Sequence, residues 1–119
     1  MRNFRELEVW KDGRTLAKNI YLLSNSLPGD EKFGLTSQIR RCVISVPANI
    51  AEGAAKESDK DFARFLQISL GSCYELESHL HLCSDLNVLK PDETEAAIAE
   101  IQLLQKRLSS FIKYIINKT

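Results

Sequence analysis

Five polar side chains recur at helical spacing in the second quarter of the chain. Gln38, Arg41, Ser45, Asn49 and Glu52 step by three, four, four and three residues, so one helix face carries all of them. A shorter stripe, Ser72, Glu75 and His79, follows with the same period. Two readings are open: a solvated polar face, or a polar network between helices or subunits in which Arg41 pairs with Glu75. Arginine suits the network because its planar fork can meet a carboxylate with two hydrogen bonds. Ser45 has no histidine at a helical spacing that would serve as its base, and a lone serine is not a triad. His79 and His81 are two apart and point to different sides of a helix. His79 and Cys83 share a face, but zinc normally takes three or four protein ligands. The Glu-x-x-His pair of di-iron bundles does not occur, and the glycines are too scattered for a phosphate loop. The expectation is no catalytic residue, no metal and no cofactor.

Charge placement is more informative than net charge. Sixteen basic and sixteen acidic residues cancel, which excludes a uniformly cationic nucleic-acid binder. If the chain runs up and down a bundle, residues 1–14, 53–66 and 106–119 gather at one end with eleven basic and six acidic groups. Residues 15–40 and 75–100 gather at the other with four basic and nine acidic groups. Arg2, Arg5, Lys106, Arg107, Lys113 and Lys118 are the candidate basic rim. Part of this polarity compensates helix dipoles, since Lys113 and Lys118 lie near a helix C-terminus. In an oligomer with parallel subunits the basic ends would add into one rim able to hold nucleic acid or an acidic partner.

The elements that position these groups follow from the apolar period. Phe62, Leu66, Ser69, Cys73, Leu76, Leu80 and Cys83 alternate steps of four and three, and so do Ala97, Ile101, Leu104, Leu108, Phe111 and Ile115. Leu35, Ile39, Cys42, Val46 and Ile50 form a second-helix stripe; Val9, Leu16, Ile20, Leu23 and Leu27 form a less regular first one, weakened early by Gly13. Breaks fall at Leu27-Pro28-Gly29-Asp30, at Lys56-Glu57-Ser58-Asp59 with Ser58 and Asp61 resembling a capping box, and at 85–92 with Pro91 suited to a first helical turn. Each segment holds roughly 20 to 28 residues, a rod of about 30 to 40 Å. The expected fold is all-α, an antiparallel up-down-up-down four-helix bundle forming one domain over residues 1–119. Pro47 predicts a kink in the second helix. Phe65, Ile68, Leu82, Ile98, Ile112 and Ile116 lie off the main seams, and the part of them left exposed points to a homo-oligomer. Three cysteines without CxxC spacing fit a reducing compartment. With no apolar leader and no long apolar run, the expected location is cytoplasmic, away from membranes.

The run Leu35-Thr36-Ser37-Gln38-Ile39-Arg40-Arg41 through Ser45-Val46-Pro47-Ala48-Asn49-Ile50-Ala51-Glu52-Gly53 resembles the hallmark of the 23S rRNA-intervening-sequence proteins, also labelled the S23 ribosomal protein family. Leu7-Glu8-Val9-Trp10, the turn Leu27-Pro28-Gly29-Asp30-Glu31-Lys32-Phe33-Gly34-Leu35 and Gly71-Ser72-Cys73-Tyr74-Glu75-Leu76-Glu77 are similar to further family motifs. The resemblance implies a small bacterial four-helix bundle, without enzymatic activity, whose relatives are encoded in insertions within large-subunit rRNA genes. It carries Gln38, Arg41, Ser45, Asn49, Glu52, Gly53, Gly71, Ser72, Glu75 and Glu77 over as motif residues. Similar bundles include the pentameric accessory protein of diversity-generating retroelements, which works with a reverse transcriptase and nucleic acid. That likeness makes a pentamer the preferred homo-oligomer, and RNA or a nucleic-acid enzyme the expected partner. Three functions are thereby in view: an accessory protein acting through its basic end, a scaffold that binds protein only, or an enzyme or metal bundle built on Glu75, His79 and Cys83.

Overall fold

Alternating three- and four-residue apolar steps leave each segment with one greasy stripe, and four such stripes close on a common core. The computed structural model describes residues 2–31 and 34–118. Lys32 and Phe33, part of the quoted first turn, lie outside the described residues. The helices are α1 (Glu8–Ser24), α2 (Leu35–Ala54), α3 (Asp59–Leu86) and α4 (Pro91–Asn117), with short 3₁₀ turns at Phe4–Glu6 and Gly29–Glu31. Each helix packs on its neighbours in the order α1, α2, α3, α4 and back to α1. Side-chain pairs fix the antiparallel sense: Asp12 with Arg107 and Asn19 with Glu100 join α1 to α4, while Ser45 meets Ser72 across α2 and α3. The result is the expected four-helix bundle, a rod 47 Å long and 22 by 19 Å across.

The predicted seams are the core. Every residue named for α2 and α3 is buried, Ser69 included, and on α4 Phe111 alone is partly buried. Ser69 is accommodated because its hydroxyl donates to the Val46 carbonyl at 2.8 Å, so that hydroxyl is not left unpaired in the core. Of the off-seam residues, Phe65 and Ile112 are buried, Ile98 is partly buried, and Ile68, Leu82 and Ile116 are exposed.

The boundaries follow local chemistry. Ser58 caps α3, its hydroxyl accepting the Asp61 N–H at 3.0 Å. Asn87 closes α3 in the left-handed conformation, with φ of 55°. Pro91 opens α4, where its missing N–H costs nothing. α1 is shorter than expected, 17 residues, and ends at Ser24. Asn25, Ser26 and the residue before Pro28 favour a turn over another helical one, although Leu27 still reaches the core. α2 runs through Pro47 as a single element. Gly13, read from sequence as a weak point, is buried against it: a Cβ there would stand 3.3 Å from Val46 Cγ1 and 3.5 Å from Pro47 N. Its missing side chain lets α1 lie close on the proline turn.

Candidate functional site: a polar seam and a charged end

The two polar stripes meet along the outer edge of the α2–α3 interface. Arg41 Nη2 donates to Gln38 Oε1 at 2.8 Å and to Glu75 Oε2 at 3.0 Å. His79 Nε2 lies 3.2 Å from the same Glu75 oxygen. Lower down, the Ser45 hydroxyl donates to the Cys42 carbonyl and shares a 2.6 Å hydrogen bond with the Ser72 hydroxyl, while the Cys42 thiol donates to the Ser72 carbonyl at 3.0 Å. Asn49 Nδ2 donates to the Ser45 carbonyl at 2.8 Å. Glu52 is exposed and stands apart from this chain of contacts. The seam is therefore a ladder of short-range pairs from α2 to α3. Its upper part is wet, with the Arg41 and Glu75 side chains 62% and 43% exposed, so their pairing contributes little to stability.

Nothing in this ladder is poised for nucleophilic chemistry. Ser45 is committed to a carbonyl and to Ser72, and no histidine reaches it. Burial pushes the Cys42 and Cys73 thiols up to about 12 and that of Cys83 to about 11, which leaves all three as small apolar groups. Cys83 is in the core while His79 turns to Glu75, so the shared face proposed for them holds no common ligand position. Among the described residues, no three His, Cys, Asp or Glu side chains are grouped to hold a metal ion.

A second polar cluster, across α3 and α4, was not singled out from sequence. Glu77 accepts from Gln105 Nε2 at 2.8 Å and Gln102 Nε2 at 3.2 Å, and lies 3.0 Å from His81 Nε2. The hydrogen bond from Gln105 is the main reason its carboxyl is held below the usual carboxylate range. The signal was available: Glu77 and His81 are four apart, and Gln102 and Gln105 three apart.

The six candidate rim residues divide. At the tip, Arg2 donates to the Lys56 carbonyl at 2.7 Å, pairs with Asp59 and covers the Phe62 ring at 4.3 Å. Lys118 approaches the other Asp59 oxygen at 3.9 Å. Arg5 lies over Phe4 at 4.6 Å. Arg107 is on the flank, tied to Asp12 at 2.8 Å. Lys106, beside it, and Lys113 are exposed and have no ion-pair partner among the described residues. Two acids, Asp59 and Asp12, thus hold three of the six cations.

This geometry defines a class first: an all-helical bundle with polar clusters lying across its α2–α3 and α3–α4 contacts. The chain belongs to the family of 23S rRNA-intervening sequence proteins, whose model matches residues 5–110. It is similar to a solved structure from the S23 ribosomal protein family, a Bacteroides thetaiotaomicron protein described as of unknown function. That match has 29% identity, covers 88% of this chain and 98% of the other, and has a TM-score of 0.82. No curated protein matches the chain. The family is one of unknown function, and among the described residues no helix is long and apolar enough to cross a membrane.

Proposed function

We propose that this chain is a non-enzymatic, homo-oligomeric accessory protein whose basic end contacts nucleic acid or a nucleic-acid enzyme. The observation that carries this reading is the placement of Arg2, Lys56 and Lys118 around one tip, where α2 gives way to α3, with Lys113 about one turn further along α4. Parallel subunits would multiply that tip into a rim, and a pentamer is the assembly the family likeness favours. Anisotropy of a labelled structured RNA, at low and near-physiological salt, tests it. The expected result is binding that weakens steeply with salt, because phosphate contacts release counterions. Lys113→Glu with Lys118→Glu should weaken it further; unchanged affinity removes the basic end from the reading.

A second reading has its own observation. Asp59 and Asp12 already offset two of the three charges of Arg2, Lys118 and Arg107. That favours a scaffold binding protein only, and absence of RNA binding even at low salt selects it.

A further inference from the structure

After Glu100 the chain has no acidic residue, and Lys106, Arg107, Lys113 and Lys118 follow. Arg107 is tied to Asp12, and Lys118 approaches Asp59. Lys106, Ser110, Lys113 and Asn117 step by four, three and four residues, so they share the outward face of the last turns of α4, and all are exposed. Lys106 and Lys113 have no ion-pair partner among the described residues. Beside Lys113 stands Tyr114, 61% exposed, the most open of the large apolar side chains among the described residues.

Tyr114 is backed by the core although it is not part of it. Its ring lies 11° from parallel with that of Phe111, centroids 6.3 Å apart. Phe111 in turn meets the fully buried Phe62 edge-on at 5.8 Å. A line of three rings therefore runs from the core to the surface, and only the last is open. A side chain left this exposed contributes little apolar burial, so its ring is available to another partner. Lys118 Nζ stands 5.8 Å from the ring centroid, a third cation within reach. The neighbouring acids bound this strip on both flanks. Glu6, Glu8 and Asp12 line the α1–α4 groove with Lys106 and Arg107, and Tyr114 lies one turn beyond the Ser110 and Phe111 that close it. On the α3 flank Asp61 faces Arg64 at 3.8 Å.

We propose that the basic end takes single-stranded nucleic acid, with an unpaired base stacked on the Tyr114 ring and backbone phosphates met by Lys113 and Lys106. The inference rests on the nucleic-acid reading above and names the form that this end recognises. In a duplex each base lies between its neighbours and shows only its edge in a groove, so a flat ring on a helix surface finds nothing to stack on. Bases in loops, bulges and free ends offer an open face. Stacking also makes up for the shortage of free charge. Lys106 and Lys113 are about 10 Å apart along the helix and release few counterions on binding. A base on an aromatic ring adds affinity that every base can supply.

Anisotropy of a labelled short oligouridylate, and of an RNA duplex of the same length, tests this on the wild type, Tyr114→Ala and Tyr114→Phe. Tyr114 is exposed, and circular dichroism verifies the fold; Tyr114→Leu replaces Tyr114→Ala if that variant is unfolded. The expected outcome is tighter binding of the single strand than of the duplex by the wild type. Tyr114→Ala should lose roughly five- to a hundredfold in single-strand affinity, with the salt slope unchanged because no phosphate contact goes with the ring. Tyr114→Phe, which keeps the ring, should bind as the wild type does. Equal affinity for single strand and duplex, or a Tyr114→Ala variant that binds the single strand like the wild type, overturns the stacking role while leaving the basic end standing. So does an equal loss for both RNAs, which would mark a disturbed tip. A wild type that binds neither RNA at low salt ends both readings.

Discussion

At the scale of single residues, what stands out is how little reactive chemistry the polar groups retain. The three cysteines are the plainest case. With thiols pushed to about 12, 12 and 11 by burial, hardly any thiolate exists near neutrality. A thiol-specific reagent at pH 8 should label none of Cys42, Cys73 and Cys83 in the native protein and all three in denaturant; rapid native labelling would contradict their burial. Two glycines make a sharper contrast. A Cβ on Gly53 would lie 2.6 Å from Phe65 Cβ and 3.2 Å from Phe62 Cδ1, so α2 and α3 must separate to admit it. Gly53→Ala should cost about 1–3 kcal/mol, the usual penalty for overpacking. Gly71 opens on free space, and Gly71→Ala should gain up to about 1 kcal/mol from helix propensity. Urea unfolding of both variants measures the difference.

At the scale of elements, the α3–α4 contact carries a pH signature. Glu77 has an 18% exposed side chain held by Gln105, His81 and Gln102, and its folded carboxyl titrates below the usual range. A group depressed in this way stabilises the fold in full above its unfolded pKa, and the contribution disappears as pH falls through the folded value. Urea midpoints should therefore decline from roughly pH 5 to pH 3. Glu77→Gln, which cannot titrate, should lower the midpoint at pH 7 and flatten that decline. Equal slopes in variant and wild type would mean that other carboxylates dominate the acid limb.

At the scale of the whole molecule, Asp59 decides how cationic the basic tip is. It takes both Arg2 and Lys118, one carboxylate against two cations. Asp59→Asn should release both and steepen the salt dependence of RNA affinity by about one unit of log–log slope. Tighter RNA binding in anisotropy is the expected result; no change would mean that the tip is not where phosphate is met. The same charge sits near the first turn of α3, so the variant also forgoes a favourable helix-dipole contact and should melt slightly lower.

The sequence by itself determined the bundle, because a 3.6-residue period repeated four times leaves a stripe on each helix that only the other three can cover. It also offered the pairing of Arg41 with Glu75 as one of two readings, because both residues sit on stripes of local spacing; the structure selects it. Ser58, Pro91 and the burial of Cys73 and Cys83 were legible for the same local reason. What only the tertiary structure decided depends on contacts between residues far apart in the chain. Gly13 reads as a defect in α1 until Pro47 is seen against it. Lys118 and Arg2 read as free cations until the two termini fold onto Asp59. Ile44 reads as an ordinary apolar residue until the closed core leaves it outside. Side-chain periodicity is a property of neighbours along the chain, whereas which charges cancel and which surfaces stay uncovered depend on where separate helices come to rest.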